Sequence, residues 1–230
     1  MKTLPFLHFR APAVAVCAWF IATSLASAQP TPIEPDLAGL VAGQGWKVAN
    51  CTVTAIEKDG KPAVHFDNNN GSTGIARLEN VTFDDGVIEF DARGQNVVQR
   101  SFLGVAFHGM DDTNYDVIYF RPFNFQAADP ERRLHAVQYV SHPAYGWKKL
   151  RTEHPGEYEK PIVPAPDPDG WFHARIVVAW PKVSVFVDGA RDPSLVVDQL
   201  NDHRRGWIGL WVDIAGGDFA NLKITPVAPP

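Results

Sequence analysis

From Trp46 onward the chain alternates apolar and polar residues with a period of two, in short runs separated by Gly, Asn, Asp and Pro. The runs are Trp46–Ile56, Ala63–Phe66, Ile75–Leu78, Gly86–Arg93, Phe102–His108, Tyr115–Phe120, Leu134–Val140, Phe172–Trp180, Val183–Val187, Trp207–Val212 and Phe219–Thr225. Rich in Val, Ile, Phe, Tyr and Trp, they predict β-strands. Asp59-Gly60, Asn70-Gly71, Asp85-Gly86 and Asp188-Gly189 supply turns, since these residues tolerate positive φ. A helical period is nearly absent; only Asp36 followed by Leu37, Leu40 and Val41 predicts a short helix. The pattern predicts an all-β, two-sheet antiparallel sandwich, interrupted by one long irregular stretch from Arg121 to Pro168.

Alternation also assigns faces. Leu103, Val105, Phe107, Ile118, Phe120, Ile208, Leu210 and Val212 form aliphatic and aromatic rows suited to the space between two sheets. The opposite rows hold His108, Tyr115, Val117, Tyr119, Arg121 and Trp211. A fully solvated face favours Lys, Glu and Thr, so large polar-tipped residues there predict a covered or ligand-facing surface.

The chain has 230 residues, with 21 Lys and Arg against 26 Asp and Glu. That acidic balance, without a basic stripe, excludes the usual nucleic-acid binder. Residues 1–28 read as a secretory signal: a basic start at Lys2 and Arg10, an apolar run from Ala11 to Leu25, then Ala26-Ser27-Ala28 before Gln29. The expected product is secreted or periplasmic, with no membrane attachment after cleavage. Residues 29–35 read as an extended tether and residues 36–226 as one domain. Cys51 is the one cysteine beyond the signal, expected as an inert, buried thiol in an alternating run.

Several segments resemble the concanavalin A-like lectin/glucanase superfamily. Trp171–Val178 followed by Val183–Gly189 is similar to its strand–hairpin–strand unit. Gly206–Trp211 and Asp218–Ile224 resemble its closing strands. Gly86–Asp91 and Gly104–His108 through Asn114-Tyr115 resemble the early strands of laminin-G-like and 3-keto-disaccharide hydrolase-like members. The resemblance implies a jelly roll of two curved sheets, with a carbohydrate as partner on the concave one. Some members bind structural calcium, for which Asp218 would be the residue here; otherwise no cofactor or metal is expected.

The chemistry-bearing residues concentrate between His108 and Tyr158. A sugar offers apolar C–H faces ringed by hydroxyls, so its site needs aromatic platforms beside planar hydrogen-bonding groups. Tyr115, Tyr119, Gln138, His142, Trp147 and, further on, Trp211 are the expected binding residues. Trp211 reads equally as a stacking platform or an edge-of-core aromatic. His108 reads as a general base or as a structural strand histidine. Elimination across a 3-keto-glycoside needs one base and an electrophile, roles that the resemblance would give to His108 and Arg121. Glucanases of the superfamily that the chain resembles carry Glu-x-Asp-x-Glu or a one-residue variant; the similar segment Glu89-Phe90-Asp91-Ala92-Arg93 has arginine in the third place, so the paired-carboxylate route would lack its proton donor. Glu89 and Asp91 are therefore expected on a solvated strand face. Three functions remain open: a glycan-processing enzyme, a non-catalytic sugar-binding domain, and an adhesion domain without a sugar ligand.

Overall fold

The computed structural model describes Met1, residues 31–68 and residues 71–227. The signal segment, the first residues of the tether and the Asn70 turn position lie outside the described residues. In chain order the elements are α1 (Leu37–Val41), β1 (Trp46–Ala49), β2 (Thr52–Lys58), β3 (Lys61–Asp67), β4 (Gly74–Leu78), β5 (Gly86–Arg93), β6 (Phe102–Gly109) and β7 (Tyr115–Phe120). Then follow α2 (Pro122–Phe125), α3 (Pro130–Arg133), β8 (Val137–His142), α4 (Trp147–Glu153), β9 (Glu159–Lys160), β10 (Phe172–Ala179), β11 (Lys182–Val187), β12 (Leu195–Asp198), β13 (Trp207–Asp213) and β14 (Gly217–Pro226).

The strands form two antiparallel sheets of seven. The front sheet has the order β1-β4-β13-β6-β7-β8-β9, and the back sheet β12-β11-β10-β5-β14-β3-β2. The last two strands enter the middle of the sheets, β13 between β4 and β6, β14 between β3 and β5. Neither sheet is complete until the C-terminal strands are placed, so the fold rests on contacts far apart in sequence.

Between the sheets lies the main core. Phe90 of β5 meets Phe120 of β7 at 6.3 Å between ring centroids, and Phe120 meets Phe172 of β10 at 4.9 Å. The rows Leu103, Val105, Phe107, Ile118, Phe120, Ile208, Leu210 and Val212 all enter this core, as alternation requires. At the N-terminus, Asp36 caps α1 by accepting from the Ala38 N–H at 2.9 Å. Ile33 in the tether bridges Ile224 of β14.

Trp46–Ile56, expected as one strand, is two. Asn50 takes φ 59°, and the chain crosses from β1 in the front sheet to β2 in the back sheet. The stretch 121–168 also holds more than its one expected strand. Pro122 and Pro130 start α2 and α3, where a missing N–H is harmless. Asp129 caps α3 through the Glu131 N–H at 2.9 Å. Strand β8 begins at Val137, three positions later than the alternation suggested, because Leu134 closes α3. Among the described residues no helix is long and apolar enough to cross a membrane.

Candidate functional site

The outer face of the front sheet follows directly from strand register. One transverse row runs Asp213, Phe102, Arg121 across β13, β6 and the end of β7. The next runs Ile75, Trp211, Gly104, Tyr119, Gln138, Glu159 across β4, β13, β6, β7, β8 and β9. A third holds Gly209, Ala106, Val117 and Val140, and Tyr115 pairs with His142 beyond it. Gly104 is required in the second row. A Cβ there would sit 2.0 Å from the Ile118 carbonyl oxygen, and over the gap the Trp211 and Tyr119 rings close to 5.2 Å.

A second apolar cluster covers part of this face. Ala106, Tyr115, Val117, Tyr119, Val140 and Trp211 pack against Leu150, delivered by α4 from the long insertion. Beside the cluster a cleft of about 480 Å³ stays open, with Trp211 and Tyr119 in its floor. Phe102, Arg121, His135, His142, Arg132 and Arg151 add to its lining. Val98 and Trp147 stand at the rim; Trp147 is 52 % exposed and Val98 53 %.

The polar wall is a network built on Arg121. Its Nη1 donates to the His135 carbonyl at 3.0 Å and meets Glu159 at 3.4 Å. Its Nη2 donates to the Tyr119 hydroxyl at 2.6 Å and to Gln138 Oε1. Tyr119 in turn donates to Gln138 Oε1 at 2.7 Å. Glu159, 2 % exposed, also accepts two bonds from Arg151, at 2.7 and 2.6 Å, and lies 3.0 Å from His135 Nδ1. Burial alone would raise the Glu159 pKa. The Arg151 hydrogen bonds and the charges of Arg121, Arg151 and His135 outweigh it, so Glu159 sits below the ordinary carboxylate range. Burial pushes the Tyr119 hydroxyl up to about 12, which keeps it a proton donor.

Asp213 is the one carboxylate that lines the cleft among the described residues. Burial raises its pKa, against one bond from the Ile214 N–H at 3.0 Å. Ile214 follows at φ 66°, a left-handed conformation that costs a β-branched residue roughly 1–2 kcal/mol. His142, also in the lining, is pushed down by burial and is held toward the neutral imidazole.

The expected site residues therefore separate. Tyr119, Arg121, His142, Trp147 and Trp211 line the cleft. Gln138 lies beneath it as partner to Arg121 and Tyr119. Tyr115 shares the face but packs between Trp207 and His142, outside the lining. Trp211 and Tyr119 are each 4 % exposed, so they close the floor, and Trp147 offers the larger free aromatic surface. The Arg121 guanidinium, expected as the electrophile, is already bonded to protein groups through both terminal nitrogens.

His108 is not in the cleft. Between the pairs Gly209–Ala106 and Trp207–Gly109, β6 has an extra residue against β13, a bulge that breaks alternation. With φ 52°, His108 turns to stack on Phe83 and is fully buried. Its Nδ1 pairs with Gln199 Oε1 at 2.9 Å and its Nε2 with the Asp84 carbonyl at 2.7 Å. The proposed base has no free nitrogen and no route to the cleft.

Alternation should have exposed Asp213, which shares the parity of Trp211, but the expected strand stopped at Val212. Glu159 carried no sequence signal beyond its charge, because only the β8–β9 register brings it to Gln138. On the back sheet, Asp91 is buried, not solvated. It accepts from Lys61 at 2.5 Å, His173 at 2.7 Å and Asn221 at 2.7 Å. Asp218, expected as a calcium ligand, is paired instead with His65 at 2.6 Å and Arg93 at 2.8 Å, one on each oxygen. Among the described residues no three His, Cys, Asp or Glu side chains converge in a way that could hold a metal. Cys51 is half-buried and its thiol is pushed up to about 11 by burial, as an inert thiol should be.

No family model and no curated protein matches the sequence. Solved structures match in fold. A protein of unknown function with galectin-like fold from Bacillus subtilis aligns at TM-score 0.52 and 12 % identity, over 80 % of this chain and 90 % of that one. The carbohydrate binding module CBM66 from Bacillus subtilis aligns at TM-score 0.51 and 16 % identity, over 78 % and 94 %. The Bacillus licheniformis β-glucanase aligns at TM-score 0.51 and 14 % identity, over 80 % and 92 %. At such identities the likeness is one of architecture: the chain has the concanavalin A-like, galectin-like jelly-roll sandwich fold.

Proposed function

We propose that the chain binds a saccharide in the front-sheet cleft, with Trp147 as the exposed stacking platform. One observation carries this reading. A cleft of about 480 Å³, inside the 300–1,000 Å³ range common for small-ligand sites, joins aromatic surfaces to arginine, histidine and carboxylate groups on the face turned away from the core. Trp147 suits the apolar side of a pyranose ring, and Asp213, Asn124 and Arg132 in the same lining supply hydrogen-bonding groups for hydroxyls. The fold neighbours support a sugar ligand by name, since one is a carbohydrate binding module and another a β-glucanase. Export by the N-terminal signal is part of the same reading.

The test is a glycan array followed by calorimetry with the wild type and Trp147→Ala. Because Trp147 is half exposed, its removal should lower affinity about tenfold or more and leave the thermal midpoint nearly unchanged. A wild type that binds no glycan, or a Trp147→Ala variant with wild-type affinity, would overturn the reading. Hydrolysis of a glycoside or 3-keto-glycoside is the second reading, favoured by Asp213. Burial raises the pKa of this carboxyl, the direction a group needs if it is to donate to a departing glycosidic oxygen. Turnover by the wild type that Asp213→Asn abolishes would establish it; glycan binding without turnover would leave binding alone.

A further inference from the structure

We propose that the cleft selects an acidic saccharide, a sugar that carries a carboxylate, and that Arg132 and Arg151 are the groups that grip it. This rests on the saccharide reading and adds the charge class of the ligand. The wall formed around α2, α3, α4 and β9 brings Arg121, Arg132 and Arg151 to the cleft. One buried carboxylate answers them: Glu159, which pairs with Arg121 at 3.4 Å and Arg151 at 2.6 Å. Glu131 approaches His135 at 3.4 Å, but its side chain is 72 % exposed and screened by water. Three guanidiniums against one buried acid leave this wall positive, in a chain whose net charge is −5.

Arg132 is the most informative of the three. Its Nε donates to Asn124 Oδ1 at 3.2 Å and its Nη2 to the Phe123 carbonyl at 2.6 Å, both neutral acceptors. The guanidinium also lies 5.9 Å from the Phe123 ring centroid. Among the described residues no carboxylate comes within ion-pair distance of it. Two hydrogen bonds thus fix the plane of a half-buried cation and leave Nη1 for a ligand. Such a charge has lost part of its hydration without gaining a counter-charge, a deficit that an anion in the cleft makes good. Arg151 differs in having a counter-charge, since its Nε and Nη2 bind Glu159, but its guanidinium is likewise fixed, 5.3 Å from the Trp147 ring centroid, with Nη1 left over.

The opposing negative charge is small. Asp213, the one carboxylate in the lining among the described residues, stands on β13, two strands from Arg121, and burial raises its pKa; the Tyr119 hydroxyl stays protonated. A uronate would therefore place its carboxylate on the arginine wall and its hydroxyls toward Asp213. A neutral sugar would leave the Arg132 charge unanswered.

Titration calorimetry with uronate oligomers, the same oligomers after carboxyl reduction, and sulfated neutral oligomers decides the matter. The expected result is at least tenfold tighter binding of the uronate than of its reduced form, a margin set by about one charge-assisted hydrogen bond. Arg132→Gln should weaken uronate binding more than binding of the reduced oligomer, and Arg132→Lys should restore part of the difference. If Arg132→Gln does not fold, the wild-type comparison decides alone. Equal or tighter binding of the reduced oligomer overturns this inference and leaves the saccharide reading standing. Tighter binding of the sulfated oligomer overturns the carboxylate assignment. Binding of none of the three overturns both.

Discussion

Replacing Glu159 with glutamine removes the only buried negative charge among the described residues that balances the arginine wall. The wild-type carboxylate meets Arg151 at 2.7 and 2.6 Å, His135 at 3.0 Å and Arg121 at 3.4 Å. After substitution Arg151, half exposed, can regain water; Arg121, 5 % exposed, cannot. Arg121 keeps three neutral acceptors, the His135 carbonyl, the Tyr119 hydroxyl and Gln138 Oε1, but no counter-charge. Breaking a buried pair on one side costs about 3–5 kcal/mol, which for a domain of this size lowers Tm by about 10 °C. Urea and calorimetric unfolding at pH 7 measure it directly. The pH dependence supplies a second check. Glu159 has a folded pKa below its unfolded value of 4.5, so its contribution is present above that value and lost as pH falls through the folded pKa. The gap between wild type and Glu159→Gln should therefore narrow in acid. A variant within about 1 kcal/mol of wild type at pH 7 would refute the reasoning, as would a gap that does not change with pH.

Other expectations follow from single residues. Asp213→Asn should stabilise the protein at pH 7. The raised folded pKa makes wild-type stability fall as pH climbs from 3.8 through the folded value, so the advantage should vanish below that window in pH-dependent unfolding. Gly104→Ala should cost about 3 kcal/mol in urea unfolding, because its Cβ would overlap the Ile118 carbonyl. His108→Ala should destabilise by about 3 kcal/mol, from lost packing on Phe83 and two lost hydrogen bonds, yet leave glycan affinity at the wild-type level in calorimetry.

Much of the architecture was legible because alternation and turn chemistry act locally. Tyr115, Val117, Tyr119 and Trp211 fall on the predicted outer face, and Asp59-Gly60 and Asp188-Gly189 take the positive φ that their turns need. Where parity failed, the cause was non-local. One extra residue against β13 turned His108 into the core, and no pattern within β6 alone announces that. Asn50 changed sheets inside a run whose alternation continues across it. For the cleft, residue type located Trp147, Tyr119 and Arg121, but not their roles. Whether Arg121 grips a ligand or organises a wall depends on Gln138, His135 and Glu159, which only the pairing of β7, β8 and β9 brings to it. Arg132 follows Glu131 in the sequence, yet that side chain approaches His135 instead, and only the folded chain leaves the Arg132 guanidinium without an ion pair among the described residues.

The most direct measurement is an NMR titration of the full chain with an oligosaccharide that it binds, followed at the indole and guanidinium N–H groups. The front-sheet cleft predicts shifts at Trp147, Trp211 and Arg132, with Trp171 near Lys61 on the back sheet unmoved. Shifts confined to Trp171 and the Asp91 network, with Trp147 and Arg132 unchanged, would contradict it.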